Sequence, residues 1–124
     1  MTKETFEFSH KLKMVVASLA LISSPVVVSA ESGEDLYKTY CWQCHGMLAN
    51  GMGMNIPDMS VQPRDHTDTK EMTARSDEEL FNAIKDGGQA IDKSVLMPPW
   101  GGVLSDDEIQ SLVRYLRELC KCGK

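Results

Sequence analysis

Cys41-Trp42-Gln43-Cys44-His45 is the stretch that decides the fold of this 124-residue sequence. Two thiols three residues apart on a helical turn lie on one face, so both can bond the edge of the same planar group. The histidine that follows places an imidazole nitrogen next to the same planar group, and neutral imidazole is a common metal ligand. A Cys-x-x-Cys-His run is typical of covalent haem attachment. We therefore predict that Cys41 and Cys44 bind one haem c covalently, and that His45 is the proximal ligand of its iron.

A redox-active dithiol or a zinc site would also use a Cys-x-x-Cys pair. Redox pairs of this spacing usually lie near a βαβ pattern, and the sequence contains no such pattern. A zinc site needs two further ligands, for which Cys120 and Cys122 are the obvious thiols. The histidine directly after the second cysteine favours haem over both alternatives.

Residues 1–30 have the organisation of a cleaved signal peptide. Three lysines precede an apolar run at residues 14–28, and Ala30 supplies a small residue at the expected cleavage position. The run is shorter than the roughly twenty apolar residues that a bilayer-spanning helix needs. We therefore predict export to the periplasm, with no stable membrane insertion after cleavage.

The remaining residues, 31–124, are enough for one domain. The leader carries 3 of the 13 basic and 2 of the 18 acidic residues, which leaves 10 basic and 16 acidic residues and a net charge of −6. An acidic surface repels nucleic acid and favours a basic partner face. A domain this small usually needs support beyond its own core, and a buried haem would provide it.

Capping residues indicate three principal helices. The first begins after Ser32 and continues into the Cys-x-x-Cys-His motif. The second begins after Ser76, with Glu79 three residues later, and the third begins after Ser105, with Glu108 at the same distance. Apolar residues recur at helical spacing in each. No strand and no internal repeat are predicted.

Two long loops, residues 46–75 and 88–104, connect these helices. Loops of this length are uncommon in a small domain. A haem explains them, because a loop can pack against its apolar face instead of against other backbone. The predicted fold class is therefore all-α, with three principal helices and long loops wrapped around one covalent haem.

Met97-Pro98-Pro99-Trp100 is a second motif with chemical meaning. A thioether is a soft neutral ligand, and Met/His ligation raises the reduction potential of haem iron. The prolines restrict the backbone directly after the methionine. We predict that Met97 is the distal ligand, and that the stiff loop keeps it bound in both oxidation states.

His66 is the alternative distal ligand, and bis-His ligation would give a lower reduction potential. It lies 21 residues after His45 and is flanked by charged residues. We therefore expect its ring to face the solvent or to lie beside a haem propionate.

Several methionines follow the attachment motif, namely Met47, Met52, Met54, Met59 and Met72. Thioethers select Cu(I), so a copper site is one alternative for the first four. Loose methionines more often fill gaps in a core, and this is the role that we expect.

The tail, residues 120–124, contains a Cys-x-Cys pair with no histidine after it, which makes it a poor second haem site. A local disulfide between Cys120 and Cys122, two free thiols, a cross-link to a partner and a metal site remain open. Free thiols would not persist in an oxidising compartment.

The sequence from Gly33 to Leu119 resembles a class I cytochrome c of the small bacterial monohaem type. Gly33 and Tyr37 precede Cys41 by eight and four residues, where this family has a small residue and an aromatic one. The stretch from Ser105 to Leu116 is similar to the family's last helix. The resemblance implies that this helix crosses the first one closely at Gly33.

The resemblance also implies further haem contacts. A loop carbonyl, for which we take that of Pro57, would accept the ring proton of His45 and fix the imidazole. Arg64 and Trp100 would contact the haem propionates, because a buried propionate without a donor is costly.

The function that the resemblance implies is one-electron transfer by a periplasmic carrier, not enzyme catalysis. An iron held by His45 and Met97 has no vacant site for a substrate. The partners would be donor and acceptor redox proteins, bound transiently by a monomer. One alternative is a haem subunit or dedicated donor of a respiratory oxidoreductase complex, such as one with a nitrite reductase. The other is a gas or redox sensor from which Met97 dissociates.

Overall fold

The structure is a computed structural model and describes residues 30–123. The helices of this part of the chain are α1 (Gly33–Tyr40), α2 (Trp42–His45), α3 (Thr69–Thr73), α4 (Asp77–Asp86) and α5 (Asp106–Leu119). Short 3₁₀ turns occur at Ile56–Asp58 and Gly88–Ile91, and residues 30–123 contain no strand. The predicted all-α fold is confirmed. The predicted signal peptide lies outside the described residues except for Ala30.

The predicted capping residues begin the three principal helices. Ser32 accepts a hydrogen bond from the Asp35 backbone N–H at the start of α1. Ser76 and Ser105 each form a complete capping box with the glutamate three residues later, at the start of α4 and α5. Each box satisfies two backbone N–H groups that would otherwise lack a partner.

The first and last helices cross at Gly33. A Cβ atom placed on Gly33 would lie 2.8 Å from the Cβ of Tyr115 and would also clash with the Ser111 carbonyl group. The absence of a side chain therefore lets Leu36 and Tyr37 of α1 pack directly against α5. The fully buried residues of α5 in this core are Ile109, Leu112, Val113 and Leu116.

Replacing Gly33 with Val is expected to lower the free energy of unfolding by about 3 kcal/mol, because the new side chain meets helix backbone that cannot move aside. Chemical denaturation of the haem-loaded protein measures this. Gly102→Val is the matched control, because an added Cβ at Gly102 has no neighbour within 4 Å. The control should change stability by less than about 1 kcal/mol. Equal losses in the two variants would mean that the helix crossing is not the cause.

The segment predicted as one loop, residues 46–75, contains the additional helix α3. Asp68 caps it by accepting a hydrogen bond from the Glu71 backbone N–H at 3.0 Å. Met72 lies in this helix and is 0% exposed. The loop prediction was therefore wrong for residues 69–73, and the helix brings a methionine into the core.

The cysteines of the tail form a disulfide with each other, Cys120–Cys122. Cys120 is buried, and its carbonyl group accepts a hydrogen bond from Thr69 Oγ1 at 2.7 Å. Of the alternatives that the sequence left open, the structure shows the local disulfide. The hydrogen bond from Thr69 joins the tail to α3.

Arg117 ties the end of α5 to the chain around α3 and α4. Its Nη1 donates to the Met72 carbonyl at 2.7 Å, and its Nη2 donates to the Arg75 carbonyl at 2.6 Å. Its Nε donates to Asp77 Oδ1 at 2.7 Å. The Arg117 side chain is only 13% exposed. Water therefore cannot easily replace the bonds to the two carbonyl groups.

Replacing Arg117 with Met is expected to lower the free energy of unfolding by about 2–4 kcal/mol, since the carbonyl groups lose charged donors while the apolar stem is kept. Thermal and chemical denaturation measure the loss. Arg114→Met is the control, because Arg114 is exposed and bonds only to the Ser111 hydroxyl among the described residues. A loss in the control as large as that in Arg117→Met would contradict this role of the carbonyl contacts.

Candidate cofactor site

A single large cavity collects most of the predicted site residues. Its volume is about 930 Å³, near the upper end of the roughly 300–1,000 Å³ typical of small-molecule sites. The predicted site residues in its wall are Cys41, Cys44, His45, Arg64, Met97 and Trp100. Pro57 is not among the wall residues. The fold thus brings together six residues that are spread over 60 positions of the chain.

The two thiols are placed by the junction of α1 and α2. Cys41 ends α1, and its carbonyl group accepts backbone hydrogen bonds from Cys44 at 3.2 Å and His45 at 2.9 Å. Both thiols are free and partly buried. Burial, followed by the neighbouring Cys44, raises the pKa of Cys41 to about 12. The Cys41 thiol is therefore protonated at neutral pH.

His45 has one ring nitrogen engaged by the protein. Its Nδ1 lies 2.9 Å from the carbonyl oxygen of Arg64, which can only accept, so Nδ1 carries the proton. Burial, the largest influence, lowers the pKa of His45. The neutral ring then has a lone pair on Nε2, which is the form that binds a metal ion.

The partner of the His45 ring differs from the one expected. We predicted the Pro57 carbonyl, whereas the structure shows that of Arg64. The reason is Gly51, whose φ of +75° and missing side chain let the next segment pass closely. A Cβ on Gly51 would lie 2.6 Å from the Pro63 carbonyl oxygen. This close approach carries the Arg64 carbonyl to the imidazole, while Pro57 lies in a separate 3₁₀ turn.

His66 stacks on His45, so the expectation of a solvent-facing ring was wrong, and a position beside a haem propionate stays a prediction. The two ring centroids are 4.2 Å apart, with an angle of 18° between the planes. His66 is 9% exposed, and its Nδ1 lies 3.3 Å from the Tyr37 hydroxyl. Burial is the main cause that lowers the pKa of His66 well below its usual value. Because the His66 ring lies flat against the His45 ring, this position argues against His66 as the distal ligand.

Met97 lies in the cavity wall, on a segment fixed against the end of α4. Its carbonyl group accepts from the Gly88 N–H at 2.9 Å, and its own N–H donates to the Ser94 carbonyl. Gly87 has a φ of +81°, and a Cβ there would lie 2.8 Å from the Pro99 nitrogen. The glycines that end α4 therefore make room for the Met97-Pro98-Pro99 run. Met97 and His45 therefore line the same cavity.

Arg64 and Trp100 lie in the cavity wall with other partners already engaged. Arg64 Nη1 donates to Glu71 Oε2 at 2.9 Å. The backbone N–H of Trp100 donates to the Ile84 carbonyl. The centroid of the Trp100 ring lies 5.2 Å from that of the Tyr40 ring. Both side chains are positioned to line the cavity, and their contact with haem propionates stays a prediction.

Three of the methionines after the motif are not core residues. Met47, Met52 and Met54 are 76%, 61% and 65% exposed, and they surround a smaller cavity of about 470 Å³ beside Trp42. The expectation that they fill gaps in the core was wrong for these three. It holds for Met72, which is 0% exposed.

The donor set of the cavity fits a covalent haem and not zinc. Cys120 and Cys122 bond to each other, so they cannot complete a zinc site. Residues 30–123 contain no group of three or more His, Cys, Asp and Glu side chains that could hold a metal ion. The cavity instead offers two thiols, one imidazole and one thioether, with apolar side chains such as Leu80 and Ile84 around them. This combination suits an iron porphyrin bound through its edge and its metal.

Comparisons with known proteins point in the same direction. The family model described as "Cytochrome C oxidase, cbb3-type, subunit III" matches residues 28–116. Cytochrome c6 of Gracilaria tenuistipitata var. liui is 29% identical over 86 residues, which cover 69% of this chain and 68% of that protein. Cytochrome c-554(547) of Halothiobacillus neapolitanus is 29% identical over 90 residues, which cover 73% and 96%.

A solved structure, "KustC0563 c-type cytochrome", has a similar fold. Its TM-score is 0.59 at 25% identity, and the match covers 72% of this chain and 98% of that one.

Proposed function

Since the chain belongs to the cbb3-type cytochrome c oxidase subunit III family, we propose that it is a periplasmic one-electron carrier. It is a class I cytochrome c with one covalently bound haem c, and we propose His45 and Met97 as the axial ligands of the iron. Relatives that the chain resembles are named cytochrome c6 and cytochrome c-554(547), which supports a cytochrome c function. The bound haem supplies a reversible one-electron change at its iron. The chain's own residues hold it, orient it and exclude water from it.

The observation that carries this proposal is the meeting of His45 and Met97 in one cavity. His45 reaches it with its Nδ1 engaged and its Nε2 free. Met97 reaches it on a segment held by backbone hydrogen bonds. An iron with both ligands has six bonds and no site for a substrate, so electron exchange is the chemistry that remains. A fixed ligand set also keeps the rearrangement between oxidation states small.

Attachment would use Cys41 and Cys44, which lie in the cavity wall as free thiols. The contact that we assigned to Pro57 passes to the Arg64 carbonyl, which holds the imidazole plane. Trp100 would close one side of the cavity, supported by Tyr40. The Arg64 guanidinium would have to share its charge between Glu71 and a propionate.

The location that we propose is the periplasm, with residues 1–30 as the signal peptide and 31–124 as the haem domain. The apolar run of the leader and the small residue at position 30 support it. No helix within residues 30–123 has the length and apolar character needed to span a bilayer. The partners would be redox proteins that bind transiently to the monomer.

Absorption spectra of the matured protein, oxidised and reduced, with a pyridine haemochrome assay, test the proposal. We expect a low-spin spectrum, a sulfur-to-iron charge-transfer band in the oxidised state and a haemochrome of the kind given by two thioether links. A high-spin spectrum, or rapid CO binding by the reduced protein, would contradict the closed ligand set and point to a sensor.

The second candidate is a haem subunit of a larger respiratory complex, and two observations favour it. The matching family model is described as an oxidase subunit. The exposed side chains of Met47, Leu48, Met52 and Met54 form an apolar surface next to the motif, and such patches often mark protein contacts. Sedimentation of the mature protein alone and in periplasmic extract separates the candidates. A monomer in both supports the carrier, and co-migration with one large complex supports the subunit.

A further inference from the structure

His66 occupies a position that the proposed electron-transfer chemistry has not yet used. Its ring lies face to face with His45, with centroids 4.2 Å apart and planes 18° from parallel. It is 9% exposed, and it lines the same cavity as the two proposed axial ligands. A polar ring is costly to bury unless it is hydrogen-bonded, and an apolar residue would fill the same space without that cost.

The chain holds His66 in this place through several contacts. The His66 backbone N–H donates to the Ala49 carbonyl at 2.7 Å, and Ala49 is held at a φ of +57°, which is unfavourable for a residue with a side chain. Asp65 Oδ1 accepts from the Thr67 backbone N–H and hydroxyl, at 2.7 and 2.6 Å, which turns the chain. The Tyr37 hydroxyl lies 3.3 Å from His66 Nδ1. The ring is therefore fixed from its backbone and from its edge.

We propose that His66 is a positioning residue for His45: its ring fixes the plane of the His45 imidazole, and its π face stabilises the positive charge that this imidazole shares in the oxidised protein. The proposal depends on the assignment of His45 as the proximal ligand. It adds a residue that sets the reduction potential without touching the haem iron.

The physical basis is the charge distribution of an aromatic ring. The face of a π system is negative, so it attracts a positive charge placed above it. Oxidation adds one positive charge to the iron, and a coordinated imidazole carries part of it. A stacked ring therefore favours the oxidised state and lowers the reduction potential. The Arg64 carbonyl holds the His45 ring at its edge, and His66 holds it at its face.

Two variants of the matured holoprotein test this inference. His66→Leu removes the π face, and His66→Phe keeps it but removes the bond to the Tyr37 hydroxyl. We expect His66→Leu to shift the one-electron equilibrium toward the reduced state by about three- to tenfold. His66→Phe should stay much closer to the wild type. The measurements are redox titration and the NMR spectrum of the oxidised protein, whose shifted resonances report the orientation of the axial ring.

The inference is overturned if His66→Leu keeps the wild-type potential with an intact low-spin spectrum, or if His66→Phe shifts as far as His66→Leu. Should the leucine variant fail to fold, the oxidised wild type decides. His66 ring protons with large paramagnetic shifts support the stacking, and ordinary shifts contradict it. Failure of the ligand assignment looks different, because a His45→Ala protein would then keep its low-spin haem whatever occupies position 66.

Discussion

Replacing His45 with Ala is expected to leave almost no stable haem-loaded protein, with the ratio of haem to protein falling by more than about tenfold. The substitution removes the imidazole that we propose as the iron ligand. It also removes the ring N–H that donates to the Arg64 carbonyl, which is then left without a hydrogen bond. Two faults therefore combine at one position. Haem staining of the purified protein, with far-ultraviolet circular dichroism, measures the yield and the helix content.

Gln43→Ala is the matched control for this variant. Gln43 belongs to the same short helix and is exposed, so its loss changes the helix but not the proposed metal ligand. It should mature with normal yield. If the His45→Ala protein is also recovered with normal yield and a low-spin spectrum, His45 is not the proximal ligand.

Replacing Met97 with Ala is expected to lower the reduction potential by on the order of 0.1 V or more, within the roughly 0.8 V range that axial ligands control. The thioether favours reduced iron, and its removal lets water or hydroxide reach the metal. The sulfur-to-iron charge-transfer band should disappear, and the reduced protein should bind CO quickly. Redox titration and stopped-flow CO binding measure both effects.

Met54→Ala is the control, because Met54 is 65% exposed and does not line the large cavity. Its potential and spectrum should match those of the wild type. Survival of the charge-transfer band in Met97→Ala would assign the distal position to another sulfur. Met59 and Met72 also line the cavity and would be the candidates.

The principal helices could be predicted because their signals are local. Ser76 and Ser105 meet their glutamates three residues away, and those contacts form whenever the helix does. Asp68 gives α3 a similar start, but a five-residue helix has too few apolar positions to show a period. That element was therefore missed within a long polar segment.

The contacts of the site could be predicted only where chemistry demanded them. A haem motif requires a histidine after the second thiol, so the proposed role of His45 as an iron ligand could be predicted from the sequence. Its partner is set by the approach of two distant segments at Gly51, and no local pattern reports that distance. The burial of His66 could not be predicted, because its neighbours in the sequence are charged. Arg64 bonds to Glu71 and Asp65 bonds to Thr67, whereas the ring of His66 points into the protein.

The crossing of α1 and α5 also sets an order of events for the newly made polypeptide. The first helix and the thiols are synthesised early, whereas the residues that cover Leu36 and Tyr37 come from the last helix. A chain that emerges N-terminus first, from the ribosome or on the far side of a membrane, must therefore keep its core open until α5 arrives. Until then α1 lacks the packing partner that fixes it, so Cys41 and Cys44 at its end stay open to attachment chemistry.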